Sequence, residues 1–465
     1  MYRHIKSKVV TSEGSSDFFN SMIGVRQGEN LSPFLFSIFL NDLHSYLDNK
    51  GVNGLPTFDG ADVYLKLFIL LYADDTVIFS NSANELQYAL NHFKDYCDTW
   101  KLHINVTKTK VMIIGKGRRL GNLSFNIGLE QVELVDVYKY LGVYFTRTGN
   151  FNKTKKYIAE QASKAMFSLL KKIRNHALPF DIQIELFEKT VKPILLYGSE
   201  IWGTGNIDVL EKVQLKFYKY IFNLKKSTPS YMIYGELGIM PIAVDIQCRT
   251  VSFWTRIINN VNNDIITKLS SKIYKIMYYN HSSGILNIPW IENVKNLLCL
   301  SGYSGVWYSQ QFINSKWLIK STSQKFKDLY IQKWRSLITQ TTSTNMYKYI
   351  KADFTRSSYI NTLPFHLCKY FMAFRTRNHR LPIETGRWHN IPVNERYCNV
   401  CNKLGDEYHF LIECSLFKHQ REIYLDRKTF IRPNFYTISG LLNIQDSDSV
   451  VKLANLCKIL VKYKQ

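Results

Sequence analysis

The chain has 465 residues, with 60 Lys+Arg against 37 Asp+Glu and a formal net charge of +23. Hydrophobic content is 46% and aromatic content 14%, which supports sizeable cores and excludes wholesale disorder. The positive excess points to a polyanion, either nucleic acid or an anionic membrane face. No run approaches the roughly 18 apolar residues of a membrane span. The basic N-terminus has no apolar signal core behind it, and 8 cysteines are too sparse for a disulfide scaffold. The composition reads as an intracellular, reduced protein of two to four domains, at about 100–200 residues per domain.

Residues 1–30 are polar and turn-rich. Ser32-Pro33 then predicts a helix, with Ser32 as N-cap and Pro33 in the first turn. Phe34, Leu35, Ile38, Phe39, Leu43 and Leu47 follow at helical spacing, and Phe34, Leu35, Phe39 and Leu43 read as core. Residues 63–72 and 76–80 read as strands around a tight connection at Ala73-Asp74-Asp75. A helix follows over 83–100, its apolar stripe carried by Leu86, Leu90, Phe93, Cys97 and Trp100. Residues 111–114 and 138–145 are further strand candidates, so the first 145 residues read as α+β. Beyond 150 the texture becomes helical, and residues 151–226 carry 14 Lys+Arg against 7 Asp+Glu. Residues 230–390 mix helical stretches with aromatics, residues 391–425 form a Cys/His segment, and a polar tail is expected from Pro433.

Two clusters carry chemistry. Asp74 and Asp75 lie between strongly apolar strands. Adjacent carboxylates repel, and a divalent cation relieves that repulsion. Mg²⁺ takes a few carboxylates together with phosphate and water oxygens, and a pair of such ions supports phosphoryl transfer. An ordinary Asp-rich turn is the bland reading of the same residues. Near the C-terminus, Cys398-x2-Cys401-x7-His409-x4-Cys414 offers three thiolates and one imidazole, a set that suits tetrahedral Zn²⁺. His419 is a weaker alternate ligand. Arg396, Lys403 and Lys418 flank the segment. Tyr397, Tyr408, Phe410 and Phe417 offer either stacking faces for nucleic acid or packing against the knuckle.

The surrounding motifs give the acidic pair a context. Upstream stand Gly24-Val25-Arg26-Gln27-Gly28 and Ser32-Pro33-Phe34-Leu35-Phe36, then Asn41-Asp42-Leu43 and Tyr72-Ala73-Asp74-Asp75. Downstream come Trp100-Lys101-Leu102-His103-Ile104-Asn105, with Lys108 and Lys110, and Tyr138-Lys139-Tyr140-Leu141-Gly142. In this order they closely resemble the reverse transcriptases of non-LTR (LINE-type) retrotransposons. The likeness continues more loosely through Pro193 to Gly203 and Tyr234-Gly235-Glu236-Leu237-Gly238.

The resemblance implies a partial right-hand polymerase: a palm over 1–145, a helical thumb over 146–235 and a mainly helical region over 236–390. A zinc-knuckle segment over 391–425 and a tail over 426–465 complete that division. It implies RNA-directed DNA synthesis from an RNA template, a DNA primer and deoxynucleoside triphosphates, with Mg²⁺ (or Mn²⁺) at the palm and Zn²⁺ at the knuckle. By that resemblance Asp74 and Asp75 are metal ligands, and Arg26, Gln27 and Gly28 line the nucleotide and template side. Lys108 and Lys110 lie near the triphosphate, with Lys108 as phosphate contact or proton donor. Tyr140, Leu141 and Gly142 form the hairpin that seats the primer end. Family members act in the nucleus, and no membrane partner is implied.

One member of the family's catalytic set is not found here. Another essential palm aspartate normally stands on a strand some tens of residues before Gly24, and the only aspartate ahead of Gly24 is Asp17, in a polar segment. The expectation is an N-terminally truncated reverse transcriptase, inactive by itself. The alternative is a non-catalytic nucleic-acid-binding remnant of such an element.

Overall fold

The computed structural model describes residues 5–21, 24–25, 28–54, 69–72, 75–115, 123–174, 176, 178–259, 265–311, 314–340, 346–430 and 433–463. The chain is mixed α+β and divides into two compact units. The first comprises residues 1–150 and 272–285, the second 151–271 and 286–465. No helix among the described residues is long and apolar enough to cross a membrane.

The first unit opens with short antiparallel ladders: β1 (Ile5–Ser7) and, enclosed between it and its partner, β2 (Val10–Thr11) and β3 (Gly14–Ser15), then β4 (Phe19–Ser21), which pairs with β1. Helices α1 (Ser32–Phe39) and α2 (Leu43–Asn49) follow. A hairpin of β5 (Ile69–Tyr72) and β6 (Asp75–Ile78) leads into α3 (Ala83–Thr99). The strands β7 (Lys110–Val111), β8 (Phe125–Ile127) and β9 (Glu130–Leu134) form a three-stranded sheet in the order β7-β9-β8. A last hairpin joins β10 (Val137–Tyr140) to β11 (Val143–Thr146).

The position of α3 follows from its sequence. Ser82 caps it by accepting the Glu85 N–H. One set of its side chains, Ala89, Tyr96 and Cys97, packs with Leu40, Leu43, Leu47 and Ile69. Leu90 packs instead with Val111, Phe125, Ile127 and Val132 of the sheet. The helix is therefore gripped on two sides, and the expected stripe holds except at Trp100, which is 42% exposed.

Four expectations for this unit need correction. Ser32 is buried and already helical, the N-cap is Leu31, and no side chain caps α1. The expected continuous helix breaks at Leu40–Asp42. Of the four residues read as core, Leu43 is buried and Leu35 half-buried, but Phe34 and Phe39 are exposed, as is Ile38. The helical periodicity was correct for the backbone, yet among the described residues that face is only partly covered, with Phe39 meeting the Trp100 ring edge-on at 5.4 Å. The expected strand over 111–114 is short and closes at Val111. Part of the strand expected over 63–72 lies outside the described residues.

The second unit is helical. Its main elements are α4 (Asn152–Arg174), α5 (Phe180–Thr190), α6 (Asp208–Ile221), α7 (Ser230–Leu237), α8 (Ile242–Asn259), α9 (Ser315–Gln340), α10 (Phe365–Arg375), α11 (Pro382–Trp388), α12 (Lys418–Tyr424), α13 (Phe435–Leu442) and α14 (Ser447–Lys462). Buried Ile158, Ala162, Met166, Leu170 and Ile173 run down one side of α4, which packs on α6. Likewise α8 packs on α9, and α10 on α14. The segment from Pro433, expected as a polar tail, is not one. Asp446 caps α14 through Ser449 N–H, and Val450, Leu453, Cys457 and Leu460 bury its apolar side.

Candidate functional site

The acidic motif sits on a two-stranded hairpin. β5 and β6 pair antiparallel with Tyr72 opposite Asp75, which heads β6 with its side chain exposed. Asp74, Arg26 and Gln27 lie outside the described residues. Gly28 has φ +88° and nothing within 4 Å of where a Cβ would stand. Its glycine is required by the left-handed backbone, not by crowding.

The two lysines differ in their surroundings. Lys108 is exposed and held by a turn in which its N–H donates to Asn105 Oδ1 at 3.1 Å. Its ammonium has no carboxylate in ion-pair range among the described residues. Lys110 lies opposite Glu133 across β7 and β9, and its ammonium pairs with that carboxylate at 2.6 Å. Tyr140 pairs with Val143, and Leu141 (φ +45°) and Gly142 (φ +80°) make a two-residue hairpin turn with both φ angles positive. The β5–β6 and β10–β11 ladders are separate two-stranded sheets.

The structure brings the Cys/His residues together. One ligand atom from each of Cys398, Cys401, His409 and Cys414 lies within 4.8 Å of every other. A short hairpin, bridged at Tyr397 and Leu404, presents the first two cysteines. Asn402 at φ +52° closes the turn between them, its N–H donating to Cys398 O at 2.9 Å. A single helical segment, His409–Glu413, supplies the imidazole, and Cys414 follows directly.

A tetrahedral zinc with bonds of about 2.3 Å requires sulfur–sulfur separations of about 3.8 Å. Cys414 Sγ stands 3.8 Å from both Cys398 Sγ and Cys401 Sγ, far too long for a disulfide. Both ring nitrogens of His409 are buried and without a hydrogen-bond partner. Nδ1 lies 3.7 Å from Glu413 Oε2. A buried imidazole with two idle nitrogens beside three thiols is costly without an ion, so the residue set fits one. Burial lowers the proton affinity of His409 and pushes the Cys414 thiol up, while the Ser415 hydroxyl pulls the Cys401 thiol down. A bound cation would deprotonate the thiols outright. Phe410 and Phe417 are buried and pack on Tyr463 at ring separations of 5.8 and 5.2 Å. They are therefore packing residues, whereas Tyr397 is exposed.

The first of these sites lies within a region that is similar to known proteins. Residues 2–145 match the family described as reverse transcriptase (RNA-dependent DNA polymerase). This chain carries a reverse transcriptase domain. Its relatives are proteins of mobile and retrotransposable elements. The chain is 27% identical over 218 residues to the RNA-directed DNA polymerase from mobile element jockey of Drosophila melanogaster, covering 45% of this chain and 22% of that protein. It is 29% identical over 243 residues to the Pol polyprotein from type-2 retrotransposable element R2DM of the same species, covering 48% of this chain and 21% of that one. A polyprotein from type-1 retrotransposable element R2 of Popillia japonica is 23% identical over 241 residues, with 48% and 37% covered. The matched region of the chain thus spans about a fifth to two fifths of the length of these relatives.

Two motifs beyond the matched domain turn out to be architectural. Glu236 of Tyr234-Gly235-Glu236-Leu237-Gly238 is fully buried and meets Arg375 Nε at 3.0 Å and Nη2 at 3.1 Å. Tyr359 and Ser357 also donate to it, at 2.8 and 2.9 Å. Burial pushes the Glu236 carboxyl up, but the Arg375 and Lys351 charges outweigh it and hold it below the ordinary range. A Cβ at Gly235 would stand 2.7 Å from the Trp334 ring, so the chain must be bare there. In the other motif, Trp202 is fully buried and donates to Tyr197 O at 2.9 Å. Sequence reasoning left Arg375 and Trp334 unassigned. Their partners lie far away in the chain, and no local spacing marks them.

Proposed function

We propose that the chain is the later palm, thumb and knuckle portion of an RNA-directed DNA polymerase that works by two-metal nucleotidyl transfer. Pairing of Tyr72 with Asp75 in an antiparallel hairpin, inside the region that matches the reverse transcriptase family, carries this reading. Asp75 offers an exposed carboxylate for Mg²⁺, and Asp74 would share it. When bound, the ions would activate a primer 3′-hydroxyl and neutralise the leaving pyrophosphate. Lys108, exposed and without a carboxylate partner among the described residues, suits a triphosphate contact better than Lys110, whose charge Glu133 already engages. Leu141 and Gly142 would present the hairpin tip to the primer end, with Arg26, Gln27 and Gly28 on the nucleotide and template side. Cys398, Cys401, His409 and Cys414 would hold a structural Zn²⁺. The exposed lysines of α4, among them Lys156, Lys164 and Lys171, would follow the phosphates of a template–primer duplex.

A second reading, a nucleic-acid-binding protein without catalysis, is favoured by one observation. Asp17, the only aspartate ahead of Gly24, lies exposed in the short connection between β3 and β4, on no core strand. A two-metal site short of one ligand loses nearly all its rate, because such groups act as a unit. The 465 residues are therefore expected to bind Mn²⁺ weakly through Asp74 and Asp75 and to extend a DNA primer on an RNA template at background rate. Mn²⁺ titration by electron paramagnetic resonance, with Asp74→Asn/Asp75→Asn as control, tests the metal site. Unchanged Mn²⁺ affinity in that variant would overturn it. Primer extension that disappears with Asp75→Asn would overturn the expected inactivity and establish the chain as a working polymerase.

A further inference from the structure

The second unit holds a concave site that contains none of the zinc ligands. A shallow, open recess is lined by Lys225, Thr228, Arg377, Glu384, Arg387 and Trp388, among others. It forms where the loop between α6 and α7 meets the turn after α10 and the helix α11. Asn378 ties these pieces together: its Oδ1 accepts the Lys225 N–H at 3.1 Å and its Nδ2 donates to Thr228 Oγ1 at 2.6 Å.

The charges in this pocket are arranged with unusual economy. Glu384 is 1% exposed. One of its oxygens pairs with Arg377 at 2.5 Å and the other with Arg387 at 2.7 Å. A single buried carboxylate thus holds two guanidinium groups in fixed positions, and the Arg387 side chain remains 42% exposed. Lys225 Nζ stands 4.0 Å from the centroid of the Trp388 ring and donates to His379 O at 3.2 Å. Three cations line the pocket with one carboxylate, and Arg377 is further engaged by Glu407 at 3.4 Å, which leaves Arg387 and Lys225 to face a ligand. Burial lowers the proton affinity of Lys225, Glu384 raises it, and Arg380 and Arg387 lower it. Beside this charge lies an indole that is 43% exposed. Fixed guanidinium forks recognise phosphate. A flat exposed aromatic next to them offers a stacking face to a base, which an acidic peptide has no use for. A base paired within a duplex has no free face to offer, so the occupant is unpaired.

We propose that this pocket seats one nucleotide of a single-stranded nucleic acid, with its base on Trp388 and its phosphate between Arg387 and Lys225. The proposal rests on the nucleic-acid-binding reading above, but it names a place that the polymerase motifs and the knuckle do not include.

The test uses the full chain, a fluorescent 12-nucleotide RNA and, separately, an RNA–DNA duplex, both read by anisotropy. Stacking of one base is worth roughly 1–3 kcal/mol, so Trp388→Ala should weaken the single strand about tenfold and leave the duplex within about threefold. Trp388→Phe keeps an aromatic face and should bind within about threefold of the parent, which guards against loss of folding in the alanine variant. Arg387→Gln should weaken the strand and reduce its salt slope by about one. Crosslinking with a 5-iodouridine strand should mark the tryptic peptide Trp388–Arg396. Loss of strand binding with duplex binding intact supports the pocket even if the thumb reading fails. Unchanged strand binding in both Trp388→Ala and Arg387→Gln would overturn it. So would a polyglutamate peptide that competes as well as the strand, or free nucleotide that binds the pocket as tightly as the 12-mer.

Discussion

Leu141 occupies a left-handed backbone position at a hairpin tip where Asn or Gly is the usual choice. A leucine there costs about 1–2 kcal/mol relative to a residue at ease in that conformation. Its side chain is 37% exposed. Leu141→Asn is expected to raise stability by about 1 kcal/mol in a denaturant titration and, if the tip seats a primer, to weaken primer binding at the same time. Glu407 gives a pH prediction. Burial pushes its carboxyl up, but His379 at 3.0 Å and the Arg377 charge bring it down to about 2. A carboxylate depressed on folding contributes stability above its unfolded pKa, near 4.5, and loses it as pH falls through the folded value. Acid unfolding should therefore steepen between about pH 4.5 and 2, and Glu407→Gln should flatten that part of the profile. An identical profile in the variant would show that other carboxylates carry the acid response.

Among the elements, the knuckle is the most self-contained. Its hairpin and the His409–Glu413 segment each fix two of the four ligands, and Phe410 and Phe417 anchor them on Tyr463 at the end of α14. Elemental analysis should find one zinc per chain, falling to none in Cys398→Ser/Cys401→Ser. Chelation should lower the thermal midpoint of the parent and leave that of the variant alone. Unchanged metal content would remove the site. The elements also show how far local pattern reaches. The α3 stripe, the β5–β6 hairpin and the Cys-x2-Cys turn were legible because the residues that stabilise each lie within a few turns of one another. The face of α1 was misread because periodicity reports helix, not what covers it. The spacing of Val450, Leu453, Cys457 and Leu460 would have identified α14, but the polar residues between them obscured it.

For the whole molecule, the charge of +23 acquires addresses. Lys155, which belongs to the basic run of α4, is buried and serves architecture, donating to Asn206 O at 3.0 Å. The exposed α4 lysines remain for a polyanion. Binding of an RNA–DNA duplex should fall steeply with salt, and Lys164→Gln/Lys171→Gln should reduce the slope of log affinity against log salt by about two. A slope that does not change would show that α4 does not touch the phosphates.

By itself the sequence determined the reverse transcriptase motifs in their order, the acidic hairpin and the four-residue metal set, since each is written in short spacings that backbone geometry converts directly into proximity. Only the tertiary structure decided that Glu236 is locked to Arg375, that Phe410 and Phe417 are core while Phe34 and Phe39 are not, and that Lys225, Arg387 and Trp388 share a pocket. Burial and charge pairing between residues more than a hundred positions apart depend on how helices pack, and no local period records that.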